Sequence, residues 1–506
     1  MNPKEMTLPP LSPGGREWHS IPVSIVQLFK HPASEQKNQI PSLILLTLFV
    51  TSCATVPIPT PQAPSKVPPT EPPLTQEIPE EDHSPLEKKQ VPQERTLEES
   101  VPLSQKRTLT TRVFPQEVQI ETWDGQELLV LTNKEHNNDL QLYETQGTAF
   151  RLSAPGYISQ TIFLEKNKDF LEAKLEKEDS PLTLQGELPT EFQPKSVRFS
   201  PDGSTLYVAH LGAETAVNRY STSPFAPLSP LQVPKEYQEN TGFVETAILP
   251  KRGEIWVSQM TRSALHIFDL SNGAYLETIE LSGQWHKVML PNAEESRLYV
   301  TAWDSKTVIE VDVEQRKELR QFQVTGTPRG LALTPDGSEL LVAIFSSSAV
   351  DRINLAQGEI VASHDAAPGY ALAMRHIVPD RQRHRYYVTA MGVGRVYILS
   401  EEGEWLGQWK VGKKPNTCAL SPDGSRLFVS CRGPNNPDDG YLFKGYEFGK
   451  IYVINLEQGI VEGWIWGKDQ PTGLDISPDG KTLAFTDFLS SNLELYSVDE
   501  MSLEEF

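Results

Sequence analysis

The chain has 506 residues, and 67 Asp+Glu against 46 Lys+Arg give it a formal net charge of −21. Such an acidic balance disfavours nucleic-acid binding, which neutralises phosphates with basic patches, and serves solubility instead. Cysteines number three in all, and no C-x-x-C, no H-E-x-x-H and no histidine cluster suggests a metal, so neither a metal nor a cofactor is expected.

Near the N-terminus, Ile40–Thr51 is an apolar run after Lys37, and it leads into Val50-Thr51-Ser52-Cys53. A charge, a short apolar stretch and small residues before a cleavage point describe a secretory signal over residues 1–52. The run is too short to span a bilayer as a mature helix. A cysteine directly after the boundary resembles the lipobox of bacterial lipoproteins, which implies that Cys53 is acylated and anchors the protein to a membrane. Met1–Glu35 is longer than a compact charged leader, as an over-long start would be.

Residues 53–107 read as a tether. Prolines from Pro57 to Pro92 punctuate a stretch of Thr, Gln and Glu, with too little apolar surface to offset its ordering entropy; a disordered, partly polyproline II linker is expected. A small β domain is expected over residues 108–178. Val118–Leu131 and Leu140–Thr145 alternate like strands, and Ala154-Pro155-Gly156-Tyr157 turns between two more. The Gly-Tyr turn resembles PEGA-like β-sandwich modules of extracytoplasmic proteins.

From residue 182 onward one phrase repeats: an apolar strand, a Ser/Thr-Pro-Asp-Gly turn, and a second apolar strand. It is cleanest at Val197–Ala209, Leu331–Ala343, Cys418–Ser430 and Leu474–Thr486, and degenerate at Thr246–Ser258, Lys287–Thr301 and Arg375–Thr389. Proline presets φ in the turn and glycine accepts a positive φ. The turn prolines, Pro201 to Pro478, recur every 41–56 residues, the period of a propeller blade of four short strands. The last repeat ends after a third strand, Leu493–Val498, while Leu182–Leu188 before the first repeat has the pattern of a fourth. If that strand completes the last blade, the sheet edge disappears. The fold class is therefore all-β: a seven-bladed β-propeller over residues 182–506, preceded by a small β-sandwich-like domain and a disordered Pro-rich tether.

The triplets Tyr299-Val300-Thr301 and Tyr387-Val388-Thr389 resemble the YVTN family of propeller repeats. That resemblance implies an extracytoplasmic or cell-surface binding protein; related propellers include lactonases and redox enzymes, and no catalytic motif of theirs carries over to this chain.

The candidate site follows from propeller geometry. Residues entering each first strand (Lys195, Glu245, His286, Arg329, Asn416, Thr472) and following each second strand (His210, Gln259, Trp303, Phe345, Met391, Arg432, Asp487) are expected to rim the channel. His286, Trp303, Arg329, Arg432 and Asn416 are the candidate binding rim, suited to a small anion or a sugar. The long step before Pro478 holds an insertion, Gly433–Gly449, whose Tyr441, Phe443, Tyr446 and Phe448 suggest a recognition surface. Cys418 and Cys431 lie on the first two strands of one blade, diagonal across the hairpin, open to either a disulfide or two buried thiols. The resulting expectation is a lipid-anchored module of the bacterial envelope, in the inner or outer membrane or at the cell surface, binding a protein or glycan partner. The alternative is a propeller hydrolase or lactonase acting at the channel mouth.

Overall fold

A computed structural model describes residues 106–498 apart from 116, 124–127, 134–137, 144–148, 165–167, 214, 240 and 446. The expected signal segment, Cys53, the expected tether up to residue 105 and Tyr446 lie outside the described residues.

The chain first builds two small sheets. Lys106–Phe114 pairs antiparallel with Asn138–Tyr143 and parallel with Phe170–Lys174. Val118–Trp123 pairs with Leu128–Asn133 and Ala149–Ser153, and Gln160–Phe163 adds the last strand. Leu109, Val113 and Leu171 of the first sheet pack against Ile120, Phe150 and Leu152 of the second, which makes the unit a sandwich. Gly156, at φ 73°, turns the chain between the fifth and sixth strands.

Seven four-stranded antiparallel sheets follow. Their innermost strands are Pro194–Phe199, Phe243–Leu249, His286–Pro291, Pro328–Leu333, Met374–Asp380, Pro415–Leu420 and Pro471–Ile476. These strands neighbour one another in chain order, and the seventh returns to the first, so the sheets are blades of a closed ring. Leu182–Pro189 supplies the outer strand of the seventh blade by pairing with Asn492–Val498. Among the described residues, helix is confined to Lys235–Gln238.

Apolar faces of adjacent blades form the core: Leu249, Trp256 and Ile267 of the second blade meet Leu298, Val300 and Ile309 of the third, all fully buried. Truncating such a residue, Leu298→Ala for example, removes about 2–5 kcal/mol. Close approach sets a second constraint. A Cβ on Gly330 would lie 2.8 Å from the Ile377 nitrogen, and one on Gly473 would lie 2.8 Å from the Val197 nitrogen, both on the neighbouring inner strand. Glycine lets these backbones touch.

The recurring turn is built by its own side chains. Asp336 Oδ1 accepts the Thr334 hydroxyl (2.6 Å) and the Ser338 N–H (3.1 Å), and Thr334 Oγ1 accepts the Glu339 N–H (3.0 Å). The bond from Thr334, with those from Ser338, lowers the Asp336 pKa from 3.8 to about 2. Asp202 and Asp479 are lowered by the equivalent Ser200 and Ser477 hydroxyls. A depressed carboxylate stabilises the fold above its unfolded pKa and loses that stabilisation as pH falls through its folded one. Melting temperature should therefore drop between pH 3.8 and about 2, and the triple alanine variant at Asp202, Asp336 and Asp479 should show a flatter profile in thermal scans over that window.

Candidate functional site

Every inner strand carries a β-bulge where it enters the ring. The extra residue is Lys195 in the first blade and Arg375 in the fifth. Elsewhere two residues face one: Val244-Glu245, Lys287-Val288, Arg329-Gly330, Asn416-Thr417 and Thr472-Gly473. A bulge leaves an N–H outside the ladder and re-aims a side chain. In five of the seven blades a second-strand hydroxyl takes up such an N–H: Ser258, Thr301, Thr389, Ser430 and Thr486 accept from Glu245, Val288, His376, Thr417 and Gly473 at 3.0–3.2 Å. Ser258 then donates to the Lys287 carbonyl of the next blade (3.0 Å), and Ser430 to that of Thr472 (3.2 Å).

The first residue after each second strand forms a ring above the bulges. Its members are Leu211, Met260, Trp303, Phe345, Met391, Arg432 and Phe488, all buried. Trp285 packs against both halves of this layer, and Tyr441 of the insertion packs against Phe488 with ring centroids 5.7 Å apart. The layer roofs the channel on the face opposite the Pro-Asp-Gly turns.

Beneath the roof lie Lys195, Lys287, Arg329 and Arg375, with Arg432 reaching in from the roof itself; each is at least nine-tenths buried. They stand under aromatic faces: Lys287 Nζ is 3.8 Å from the Trp303 centroid, Lys195 Nζ 4.8 Å from Phe488, and Arg432 4.1 Å from Tyr441. Burial first, then the charges of Arg432, Arg375, Arg329 and Lys287, pull the Lys195 ammonium well below its ordinary pKa. The cavity below is lined by Lys195, Arg198, Arg329, Arg375, Glu245, His376 and Asn416, among others. Arg198 pairs with Glu245 (3.2 Å) and Asp475 (3.8 Å) on the turn side of that cavity.

Of the expected rim residues, Arg329 and Asn416 line the cavity, while Trp303 and Arg432 belong to the roof. The expected open mouth on that face is closed, because all of these side chains are buried. His286 does not reach the channel. It starts its strand one residue ahead of the bulge, and its Nε2 lies 2.8 Å from the Ser282 carbonyl. His210, Gln259 and Asp487 likewise end their strands one residue before the roof members Leu211, Met260 and Phe488. Sequence reasoning missed Lys287 and Arg375. The recurring basic residue two or three positions before the repeated apolar pair was the available signal, and it becomes readable only once the bulge is in register.

The insertion Gly433–Gly449 does two jobs. Tyr441 is buried and its carbonyl accepts from Gln470 Nε2 (2.7 Å); Phe443 is 53% exposed. Phe448 is buried against Phe114 of the sandwich (4.5 Å between centroids). Two of the expected exposed aromatics are thus packed, one over the channel and one under the small domain. Around Phe448 the docking is charged. Arg112 stacks on its ring at 4.3 Å, donates to the Gly445 carbonyl (2.8 Å) and pairs with Glu172 (2.7 Å) and with buried Asp469.

A second interdomain pair is deeper. Lys174 is ion-paired with fully buried Glu494 of the seventh blade and donates to the Trp466 carbonyl (2.9 Å). Burial opposes ionisation of both Glu494 and Asp487 nearby. Lys174 outweighs it at Glu494, whose pKa falls, whereas burial and the Glu494 charge hold Asp487 well above the carboxylate range. Removing one partner of such a pair leaves a buried charge without its counterion and costs about 3–5 kcal/mol. Lys174→Met should lower unfolding stability by that amount in urea titrations and expose the 175–181 link to limited proteolysis, while exposed Lys413→Met should do neither.

The described residues thus form a seven-bladed β-propeller with a roofed, cation-lined channel and a β-sandwich docked on its last two blades. No family model matches the chain. It is 35% identical over 393 residues to Antigen Lp49 of Leptospira interrogans, covering 74% of this chain and 85% of that protein. The chain belongs to the family of Antigen Lp49. Among solved structures, hydrazine synthase of Kuenenia stuttgartiensis is similar with a TM-score of 0.51 at 16% identity, over 62% of this chain and 98% of that one; this likeness concerns the fold alone.

Proposed function

We propose that this protein is a lipid-anchored, extracytoplasmic binding module of the cell envelope, tethered through Cys53, with the propeller channel as its ligand site and a protein or glycan of the envelope as its partner. The observation that carries binding over catalysis is the character of the channel: buried cations and amides, without an activated nucleophile among the described residues. The nearest approach to one is Cys418, whose Sγ is 3.4 Å from His376 Nδ1. Burial pushes that thiol up, and burial followed by Arg198, Arg329 and Arg375 holds His376 down at about 3. The thiol stays protonated and the imidazole is too weak a base to take its proton.

Several features support the location. The relative's name, an antigen, agrees with display at the cell surface. The lipobox-like boundary at Cys53, the YVTN-like repeats and the PEGA-like turn at Gly156-Tyr157 all point outward from the cytoplasm. One or two acyl chains set membrane residence for such a protein. Cys53→Ala should therefore abolish fatty-acid labelling and move the protein from the membrane to the soluble fraction. Unchanged detergent-dependent partitioning of the variant would overturn the anchor.

A further inference from the structure

We propose that the channel beneath the aromatic roof is a binding site for a small oxyanion, a phosphate or carboxylate group, held by Lys195, Arg329 and Arg375 with Asn416 beside them. This rests on the reading of the channel as the ligand site and adds the chemistry of the ligand.

The first argument is charge. The cavity wall carries four cations, Lys195, Arg198, Arg329 and Arg375, against one carboxylate, Glu245. That carboxylate is already engaged by Arg198 at 3.2 Å. Lys287 and Arg432 stand directly behind, both about 1% exposed. All this occurs in a chain whose formal net charge is −21. Desolvating several like charges together costs free energy that aromatic stacking only partly offsets. An anion at their centre offsets the repulsion and part of the desolvation cost.

The second argument is placement. Lys195, Lys287, Arg329 and Arg375 come from four different blades, and each is a bulge residue of its inner strand, where the backbone aims it at the axis. Ordinary surface charges do not converge this way. Two guanidinium groups provide planar forks that match an oxyanion bidentately. His376 accepts the Cys418 N–H at Nδ1 (3.4 Å), which puts its proton on Nε2 and makes it a neutral donor.

The third argument is size and access. The room for water-sized bodies is about 20 Å³, enough for one small group and too little for a polymer segment. The roof seals one face, so entry is from the turn face, past Arg198, whose side chain is 31% exposed between Glu245 and Asp475. Low dielectric under the roof strengthens each contact with the bound anion.

The test uses the full-length protein in detergent, by thermal scanning and calorimetric titration with sodium phosphate, sodium acetate and, at matched ionic strength, sodium chloride. A saturable rise in melting temperature with phosphate or acetate, exceeding that with chloride, is expected, and the stronger of the two identifies the group. Without added anion, Arg375→Gln should melt at or above the wild-type temperature, because it relieves repulsion. With anion it should bind about tenfold more weakly or worse. Lys195→Met should behave the same way. The proposal is overturned if phosphate and acetate do no more than chloride. It is equally overturned if both variants melt lower in the absence of anion yet keep the full wild-type anion response, which would make the cations packing for the roof. Neither result bears on fatty-acid labelling at Cys53, so anchoring and anion binding fail separately.

Discussion

The molecule depends on one backbone irregularity repeated seven times. Each inner strand must bring its residues close enough to meet six others around an axis, and a regular strand would aim its entering side chains into the neighbouring blade. The bulge turns them inward. Its cost is an N–H left out of the ladder, and a buried donor without an acceptor is expensive. The hydroxyl of Thr301, Thr389 or Ser430 meets that need, and in Ser258 and Ser430 the same hydroxyl goes on to bond the next blade. The threonine that ends the Tyr-Val-Thr triplet is therefore a structural part of the channel wall, although it lies on the second strand. Residues in the left-handed region just before the inner strands, such as Gln193, Trp285 and Lys414 at φ near 60°, add local strain at the same level.

Closure and docking share the seventh blade. Leu182–Pro189 completes it from the outside, and Lys174, a few residues earlier, reaches its interior to meet Glu494. The insertion of the sixth blade holds the other side of the sandwich through Phe448, Gly445 and Lys444, the last 3.3 Å from Glu172. The two domains are thus joined by buried ion pairs as well as by apolar contact. Such pairs contribute less to net stability than to fixing one arrangement, since any other leaves a charge buried alone. Acid groups dominate the composition, but the structurally decisive charges are the basic ones, Arg112 and Lys174 at the junction and the cluster in the channel.

The fold was largely legible because its signals are local. The Pro-Asp-Gly turn states where two strands meet, its recurrence counts the blades, and an orphan third strand at one end matches an orphan fourth at the other. Even the facing of Cys418 with Val429 follows from counting outward from the turn; both cysteines are free and buried. The site was legible only in part. Counting outward works until the bulge, and beyond it some assignments fall one residue short: His286 for Lys287, His210 for Leu211, Asp487 for Phe488. Proline and glycine flank some bulges, as in Pro328-Arg329-Gly330 and Pro471-Thr472-Gly473, but none marks Lys287 or Arg375. The fate of the insertion was hidden for a different reason. Whether Tyr441 and Phe448 face solvent depends on partners outside the loop, Phe488 and Gln470 for the first and Phe114, hundreds of residues away, for the second, and nothing in Gly433–Gly449 itself names them.

The closing strand also has a temporal meaning. Gln185 and Ser497 are hydrogen-bonded across a separation of 312 residues, so the strand made first in the ring waits for the one made last. As the chain emerges N-terminus first, six blades can form before the seventh has all its material. Through that interval Leu182–Pro189 is a bare template for any passing strand, and the long loop it must close slows the final step. The neighbouring sandwich is complete by then. With Arg112 and Lys174 already presented, it offers the arriving sixth and seventh blades a surface of fixed charge to settle on, and works as a clasp that is ready before the necklace is finished.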